Sequence, residues 1–377
     1  MNKLTVVIIS YRVPQYLEQC IVSVRRATEG IDSEIIVVDN HSDDGTVEYL
    51  KERFGKSITL IESNHNLGFS KANNIAIRQS TSEYVLLLNP DTFVAEDSIK
   101  TVLQFMDEHP NVGGAGVMMH NANGTAARES RRGIPTPYVS LLKMLGNSSR
   151  YYLSHLPWDE PGRIDVMSGA FCLLRREALA RVGLLDEEFF MYGEDIDLSY
   201  RILKGGYENW YVPAHIVHYK GESTQKSSFR YVHVFYQAML IFFRKHYGHL
   251  SLLVTLPIKV AIYGRAFIAL LQMQYRRLRN SLGLIDPQAE DFEYVFVGSQ
   301  QMLDECQKLA RQKGLMATFL HKGDELPAGR EGQCIVYDTD AFTYGQIIDM
   351  AARDGKSETG TYNCSTKTLI TSREVIR

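Results

Sequence analysis

Apolar and polar positions along the first hundred residues fall into two alternating periods. Short aliphatic runs at Leu4 to Ile9, Glu34 to Val38, Ile58 to Glu62 and Tyr84 to Leu88 predict strands. Between them, Tyr16 to Arg26, Gly45 to Arg53 and Ser70 to Gln79 carry the three-to-four spacing of helices. Val6-Val7-Ile8-Ile9 and Val85-Leu86-Leu87-Leu88 are apolar at every position, not every second one, which predicts strands covered on both faces. Strand and helix in alternation build a mostly parallel sheet with helices on its faces, an α/β fold. The strands end in polar clusters: Ser10-Tyr11-Arg12, Asp39-Asn40-His41-Ser42 and Asn89-Pro90-Asp91. In an open parallel sheet the ligand crevice lies just beyond the carboxyl ends of the strands, so these clusters are expected to line it.

A second block, Asp165 to His218, holds a strand near Ala170 to Leu174, a helix opened by Gly193-Glu194-Asp195-Ile196-Asp197, and a strand near Asn209 to Val212. From Asn121 to Gly162 the pattern is weak and broken by residues such as Gly133, Pro135 and Pro137, as in a mobile flap or acceptor loop. After Ile285 the alternation resumes, with strands at Glu293 to Gly298, Met316 to Leu320, Gln333 to Tyr337 and Lys367 to Thr371, and helices at Gln301 to Gln312 and Tyr344 to Arg353. The expected division is 1–222, an α/β domain; 223–285, a basic amphipathic helical segment; and 286–377, a small separate α/β domain, since 377 residues exceed what one core usually supports. Gly298, after a strand and before a helix, reads as turn chemistry, and the last domain carries no catalytic constellation, so scaffold or oligomer contact is its expected role, with partner docking second.

Composition changes this picture in two places. Five cysteines lie far apart without a CxxC pair, which argues against a disulfide framework or a zinc site and for a reducing, cytoplasmic setting. The N-terminus is too short in its apolar run for a signal peptide. The net charge of −3 conceals an asymmetry: Ser223 to Ile285 holds nine basic residues and no acid, while the other 32 basic residues face 44 acidic ones, a balance of −12. Leu250 to Leu271 is apolar, but Lys259, Arg265 and Pro257 interrupt it and disfavour a membrane span. Arg265, Gln272, Arg276 and Arg279 fall near one helical face, with Ile268, Leu271 and Tyr275 elsewhere, so the expectation is an interfacial helix on an anionic membrane surface. Part of this stretch, Tyr231 to Phe243 above all, also reads as a helix packed on the first domain. Apolar content that suits a bilayer argues against nucleic acid as the partner of these charges.

The candidate chemistry sits on the strand ends. Ser42, Asp43 or Asp44 suffices to cap the following helix, which leaves Asp39 free to accept hydrogen bonds from a base or ribose. Asn66-Leu67-Gly68-Phe69-Ser70-Lys71-Ala72-Asn73-Asn74 joins a strand to a helix and supplies backbone N–H groups, Gly68 and Lys71, suited to a diphosphate. Asp91 follows the most apolar strand, and a single carboxylate there can hold Mg²⁺ or Mn²⁺ whose remaining ligands come from a diphosphate; His218 is a second candidate ligand. Glu194 and Asp195 begin a helix whose dipole favours acids. The neighbouring Phe189, Phe190, Met191 and Tyr192 form an apolar wall that would raise a carboxylate toward general-base range, and Gly169 lets a sugar approach the backbone.

Seven stretches in order resemble the family-2 glycosyltransferases, and especially their bacterial rhamnosyltransferase branch: VVIISYR at Val6 to Arg12, VVDNHSDDGT at Val37 to Thr46, NLGFSKANN at Asn66 to Asn74, LLLNPDT at Leu86 to Thr92, SGAFCLLRREAL at Ser168 to Leu179, GLLDEEFFMYGEDIDLSYR at Gly183 to Arg201 and HYKGEST at His218 to Thr224. The resemblance implies a GT-A fold, a nucleoside-diphosphate sugar donor (dTDP, UDP or GDP), a divalent metal (Mg²⁺ or Mn²⁺) and inversion at the anomeric carbon. Carried over by position, Ser10, Tyr11, Asp39, Asn66, Gly68, Lys71, Asn74 and Gly169 would hold the donor, Asp39 on its base. Asp91 would hold the metal, His218 the metal or the diphosphate, and Asp195, with Glu194 beside it, would deprotonate the acceptor. One departure stands out: the family's DXD motif reads Asn89-Pro90-Asp91 here, without its first aspartate, which shifts metal affinity onto Asp91, His218 and the donor. The expected acceptor is a lipid-linked glycan for cell-surface polysaccharide, with the protein peripheral on the inner face of the cytoplasmic membrane. Rhamnose is the first sugar to test. A nucleotidyltransferase would also place carboxylates beyond a parallel sheet but lacks the lysine-bearing glycine loop after its first strand. A non-catalytic nucleotide- or glycan-binding scaffold is the other alternative, suggested by the incomplete metal motif.

Overall fold

The computed structural model describes residues 2–220, 229–248 and 292–377, with scattered helical positions between 256 and 279. Nine strands form the first sheet: β1 (Leu4–Ser10), β2 (Ser33–Asp39), β3 (Thr59–Glu62), β4 (Tyr84–Leu88), β5 (Thr92–Val94), β6 (Val112–His120), β7 (Gly162–Ile164), β8 (Phe171–Arg175) and β9 (Glu208–His218). Their order is β3-β2-β1-β4-β8-β6-β9-β5, with β7 beside β9. The half β3-β2-β1-β4 is parallel; β8 then enters antiparallel to both β4 and β6, and β6 and β9 are again parallel. Every residue of β1 and β4 is buried, which is what apolar runs without alternation require. Apolar clusters lie on both faces of this sheet, one under α1 (Pro14–Ala27) and α4 (Ser98–Glu108), the other under α3 (Phe69–Gln79) and α7 (Glu194–Lys204).

Parallel register sets the site. Ser10 stands opposite Asp39, and Asp39 opposite Glu62, so the polar ends of three strands meet at one edge. On the other half, Thr92 at the start of β5 pairs with His218, which brings the turn between β4 and β5 to the end of β9. The strand β6 carries no apolar signature in its first half, Val112-Gly113-Gly114-Ala115-Gly116. Packing is the reason: a Cβ on Gly113 would stand 2.7 Å from the Ile202 side chain, and one on Gly114 2.5 Å from the sulfur of Met167.

The stretch 121–162, read as a flap, contains a short 3-10 turn at Arg128–Ser130 and the helix α5 (Pro137–Met144), capped by the Thr136 hydroxyl on the Val139 N–H at 3.2 Å. Beyond α2 (Thr46–Phe54) and α6 (Arg176–Val182), the first unit is extended by α8 (Phe229–Tyr247). This helix packs Ala238, Ile241 and Phe242 on Phe189 and fixes His246 to Asp197 at 2.7 Å, as the packed-helix reading of Tyr231 to Phe243 requires. Residues 221–228 and 281–291, and much of 249–280, lie outside the described residues, and with them both inner boundaries of the expected division.

The second sheet runs β11-β10-β12-β13-β14-β15, from β10 (Glu293–Gly298), β11 (Met316–His321), β12 (Gln333–Asp338), β13 (Glu358–Asn363), β14 (Thr368–Ile370) and β15 (Val375–Ile376), with α9 (Gln300–Lys313) and α10 (Tyr344–Asp354). It has a core of its own and packs directly on the first unit. Tyr16, Phe93, Val217 and Tyr219 of the first unit share one apolar cluster with Ile335, Tyr337, Tyr344 and Ile347 of the second. Polar bonds reinforce the seam: Tyr16 donates to the Thr371 carbonyl at 2.7 Å, and the Glu96 carboxylate accepts the first two amides of α10, from Tyr344 and Gly345, at 2.8 and 2.9 Å. An acid from one unit thus caps a helix of the other, where the helix dipole favours it.

Candidate active site

The end of β2 turns back on itself. Asp39 accepts the Ser42 amide at 3.0 Å on one oxygen and the Ser42 hydroxyl on the other, so it is not free as the capping argument supposes. The helix α2 follows Gly45 without a side-chain cap; Asp44 accepts from Thr46 instead, and Ser42 goes to Asp39. Each carboxylate oxygen retains a second lone pair, so Asp39 still has acceptor capacity. Ser10 beside it is fully buried, and its hydroxyl finds no partner. Tyr11 is half-buried next to it, with the Arg12 guanidinium 5.3 Å above its ring.

Asn40, which the sequence reading quotes but assigns nothing, joins this loop to the next. Its amide oxygen accepts from Leu67 at 2.8 Å, and its amide nitrogen donates to Asn66 Oδ1 at 3.1 Å and to the Gly68 carbonyl at 3.2 Å. Gly68 has a left-handed φ of 78°, and a Cβ there would lie 2.5 Å from the Phe190 carbonyl oxygen. That carbonyl accepts the Phe69 N–H at 2.6 Å. The first amide of α3 is therefore taken, and what the helix start offers an anion begins at Ser70, whose buried hydroxyl is unpartnered. Lys71 is exposed one residue on. Asn74 does not join the site: it binds Leu185 through both backbone groups, at 2.8 and 3.1 Å, and Glu187 at 2.9 Å, holding the 185–187 turn.

Asp91 and His218 meet. The buried Asp91 Oδ1 lies 3.2 Å from His218 Nε2, and the Asn89 amide sits 3.3 Å from the same nitrogen. Asn89 thus occupies the place of the missing first aspartate and still addresses the imidazole. From Asn89 the path continues: its N–H donates to the Ala170 carbonyl at 3.1 Å, and the neighbouring Gly169 N–H reaches Asp195 Oδ2 at 3.3 Å. A Cβ on Gly169 would stand 3.7 Å from Asp195 Cβ and 3.9 Å from both Glu194 Oε1 and the Phe69 ring, so Gly169 adjoins both acids and the start of α3.

Asp195 has a partner that the sequence reading did not find. Arg132, from the supposed flap, bonds Asp195 Oδ2 and the Met167 carbonyl, each at 2.5 Å. Asp195 also accepts the Ile196 amide at 2.8 Å, and 16% of its side chain stays accessible. Of the apolar wall, Phe189 is buried in the contact with α8, with Tyr192 packed against the same cluster. The carboxyl with raised proton affinity is Glu194: burial first, then the charge of Asp195, push it up to about 8, and its Oε2 is buried without a partner. The one signal for Arg132 was a pair of arginines in a stretch otherwise read as loop.

Of the seven non-glycine residues with left-handed backbone among those described, five stand in the loops of this edge: Arg12, His41, Asp43, Tyr192 and Lys220. Such backbone collects where surrounding structure over-determines it, often around ligand sites. Lys220, just after β9, donates to Asn121 Oδ1 at 2.6 Å and pairs with Glu129 at 3.2 Å, tying the same edge to the 121–162 stretch.

Two donor sets were tested against a divalent cation. Ligands at about 2.1 Å on adjacent corners of an octahedron stand about 3.0 Å apart, which fits the 3.2 Å between Asp91 Oδ1 and His218 Nε2. In the second unit, Asp338, Asp340 and Cys364 present ligand atoms within 4.8 Å of one another. There Asp338 already accepts from Ser299 N–H at 3.0 Å, Ser299 Oγ at 2.5 Å and Asp340 N–H at 2.9 Å, and burial pushes the Cys364 thiol up to about 12. That group braces a loop beside a protonated thiol.

Known proteins resemble much of this chain. The profile of glycosyl transferase family 2 matches residues 5–183. The chain is 29% identical over 261 residues, 63% of its length and 83% of the relative's, to an N-acetylglucosaminyl-diphospho-decaprenol L-rhamnosyltransferase of Mycobacterium tuberculosis. It is 28% identical over 186 residues to the rhamnosyltransferase WbbL of Escherichia coli, covering 44% of this chain and 70% of that one. Among solved structures, a mannosyltransferase of Pyrobaculum calidifontis in complex with GDP-Man and Mn2+ aligns over 76% of this chain and 81% of its own, with 18% identity and a TM-score of 0.46. Residues 5–183, with β1 to β8 and the Asp91 end of the edge just described, match glycosyl transferase family 2, the chain resembles its rhamnosyltransferases, and it is a glycosyltransferase.

Proposed function

We propose that the protein transfers a sugar, rhamnose first among candidates, from a nucleoside diphosphate to a lipid-linked glycan acceptor, with inversion at the anomeric carbon. The observation that carries this reading is the single edge on which Asp91 with His218, the Asn66–Ser70 turn, Gly169 and Asp195 converge. The Mycobacterium tuberculosis relative is named for a decaprenol-diphosphate acceptor, which supports the lipid-linked class. Inversion is the outcome of one in-line displacement. Asp195 takes the proton of the acceptor hydroxyl, the oxygen forms its bond to the anomeric carbon, and the bond to the diphosphate breaks with its electron pair leaving on the diphosphate. Arg132 and the Gly169 amide fix Asp195 Oδ2, and the other oxygen, which accepts the Ile196 amide, keeps a lone pair for the acceptor proton. Glu194, protonated at neutral pH, keeps a second negative charge from forming beside it. Asp91 and His218 would hold Mg²⁺ or Mn²⁺, and a bound cation would neutralise charge on the diphosphate. The amides of α3 from Ser70 onward face the same anion.

Attachment to a membrane surface is part of the proposal. At described helical positions Leu256, Val260, Tyr263, Phe267, Leu271, Tyr275 and Leu278 recur at intervals of three and four, each between 53% and 67% exposed. No helix among the described residues is long and apolar enough to cross a membrane.

Thermal shifts with dTDP, UDP, GDP and their sugars, with and without Mn²⁺, test the donor site, because a ligand at a hundred times its Kd adds about 2.7 kcal/mol of stability. One nucleotide should stabilise the wild type in a metal-dependent way, and Asp91→Ala should lose that effect. Asp195→Asn should keep it and lose transfer; loss of donor binding in Asp195→Asn would remove the base role from Asp195.

A further inference from the structure

From Ala126 to Leu156 the chain holds five basic residues and a single acid, Glu129. Glu129 is engaged by Lys220 and Arg132 by Asp195. Arg128 and Arg131 have no carboxylate within ion-pair distance among the described residues. Both line a cavity of about 670 Å³ together with Leu145, Ser148, Ser149 and Trp158. Arg131 is 5% exposed, lies 3.4 Å above the Trp158 ring, gives one N–H to the Leu156 carbonyl, and keeps a buried Nε without a partner. A buried guanidinium with no acid to neutralise it is costly unless an anion completes it.

The cavity adjoins the site through one thickness of chain. Arg131 has extended backbone, so successive side chains leave on opposite sides: Arg132 goes to Asp195 and Arg131 to the cavity. An apolar track leads away from it. Tyr138, Leu141 and Leu145, three and four residues apart along α5, are 56%, 48% and 75% exposed, and Leu145 is itself part of the cavity wall. A basic, hydroxyl-lined cavity continuous with an exposed apolar stripe matches a ligand that is anionic at one end and a hydrocarbon at the other.

We infer that this cavity binds a diphosphate borne on a long apolar chain, with the diphosphate on Arg128 and Arg131 and the chain along Tyr138, Leu141 and Leu145. The inference rests on the lipid-linked acceptor proposed above and names where the anionic part of that acceptor would lie. It places the reacting end of such an acceptor on the far side of the Arg131–Arg132 segment, at Asp195.

The test is calorimetric titration of the full chain, saturated with its nucleotide, with inorganic pyrophosphate, farnesyl diphosphate below its micelle concentration, and dihexanoylphosphatidylglycerol. Farnesyl diphosphate should bind tightest. Arg128→Gln, an exposed position, should weaken both diphosphates by about tenfold, the scale of one charge-assisted hydrogen bond. Arg131→Gln should do the same, and Arg128→Gln keeps the proposal testable if that variant does not fold. Leu141→Ser with Leu145→Ser should erase only the advantage of farnesyl diphosphate over pyrophosphate. Equal affinity for dihexanoylphosphatidylglycerol would overturn the diphosphate assignment and make the cavity a bilayer headgroup site. Binding unchanged in Arg128→Gln but lost in Asp91→Ala would overturn the cavity altogether. Nucleotide binding, measured first in the same samples, reports separately on the donor site.

Discussion

At the scale of residues, the two adjacent acids divide their work by surroundings and not by type. Asp195 has Arg132, two amides and some solvent; Glu194 has burial and the charge of Asp195. The sequence placed both acids at a helix start and the resemblance named Asp195 as the base, but what separates their surroundings is an arginine sixty-three positions away, in a stretch without periodicity. The surroundings of Asp39 were hidden in the same way: nothing local says that Ser42 will turn back to it instead of capping α2. A consequence can be measured. A carboxyl whose folded pKa of about 8 exceeds its unfolded value of 4.5 binds more proton folded than unfolded between those values. Its contribution is complete below the lower value and is lost as pH rises toward the upper one. Glu194→Gln, which cannot ionise, should therefore gain stability relative to wild type from pH 5 to 8, by up to about 1.4 kcal/mol for each pH unit. Chemical denaturation of both proteins across that range would show it. A constant gap would mean that Glu194 ionises in the folded state as it does in the unfolded one.

At the scale of elements, strands and helices were legible wherever burial on both faces or on one stripe dictates composition, as in β1, β4 and α3. The strand β6 was not, because its glycines answer to Ile202 and Met167, neighbours in space and not in sequence. The turns carried the function and concealed most of it. The Asn66–Phe69 turn was legible as an anion-binding start, yet its first amide goes to Phe190 and its shape depends on Asn40. Gly68 is where these constraints meet, since its left-handed φ and the 2.5 Å approach to Phe190 both exclude a side chain. Gly68→Ala should lower the unfolding free energy by about 1–3 kcal/mol, the usual range for overpacking and incompatible backbone. It should also weaken nucleotide binding, because the Phe190 carbonyl must give way and release α3. Denaturant unfolding paired with nucleotide titration checks both. A loss of stability with unchanged nucleotide affinity would assign this turn to folding alone.

At the scale of the whole molecule, two surfaces differ from what a chain of alternating α/β blocks suggests. The second sheet meets the first through a shared apolar cluster and a helix capped across the seam, a complementarity of two buried faces on which chain length and alternation are silent. The basic segment was legible from charge alone, nine basic residues without an acid against −12 elsewhere, although Arg244 and Lys245 pair with Glu188 and Asp186 of the first unit. Its described apolar positions, Leu256 to Leu278, are exposed along one stripe. Such a stripe, where no helix among the described residues is long and apolar enough to cross a membrane, suits the boundary between headgroups and acyl chains. The protein should float with vesicles containing phosphatidylglycerol and not with purely zwitterionic ones, and salt should release part of it, because at 0.1 M the Debye length is about 10 Å. Val260→Ser, Phe267→Ser and Leu271→Ser together should abolish flotation at any salt while leaving nucleotide-dependent thermal stabilisation intact, since these side chains touch solvent and not the site. A protein wholly unbound at low salt would sink the membrane assignment. Flotation that survives the triple substitution but vanishes with salt would leave charge, without insertion, as the whole of the attachment.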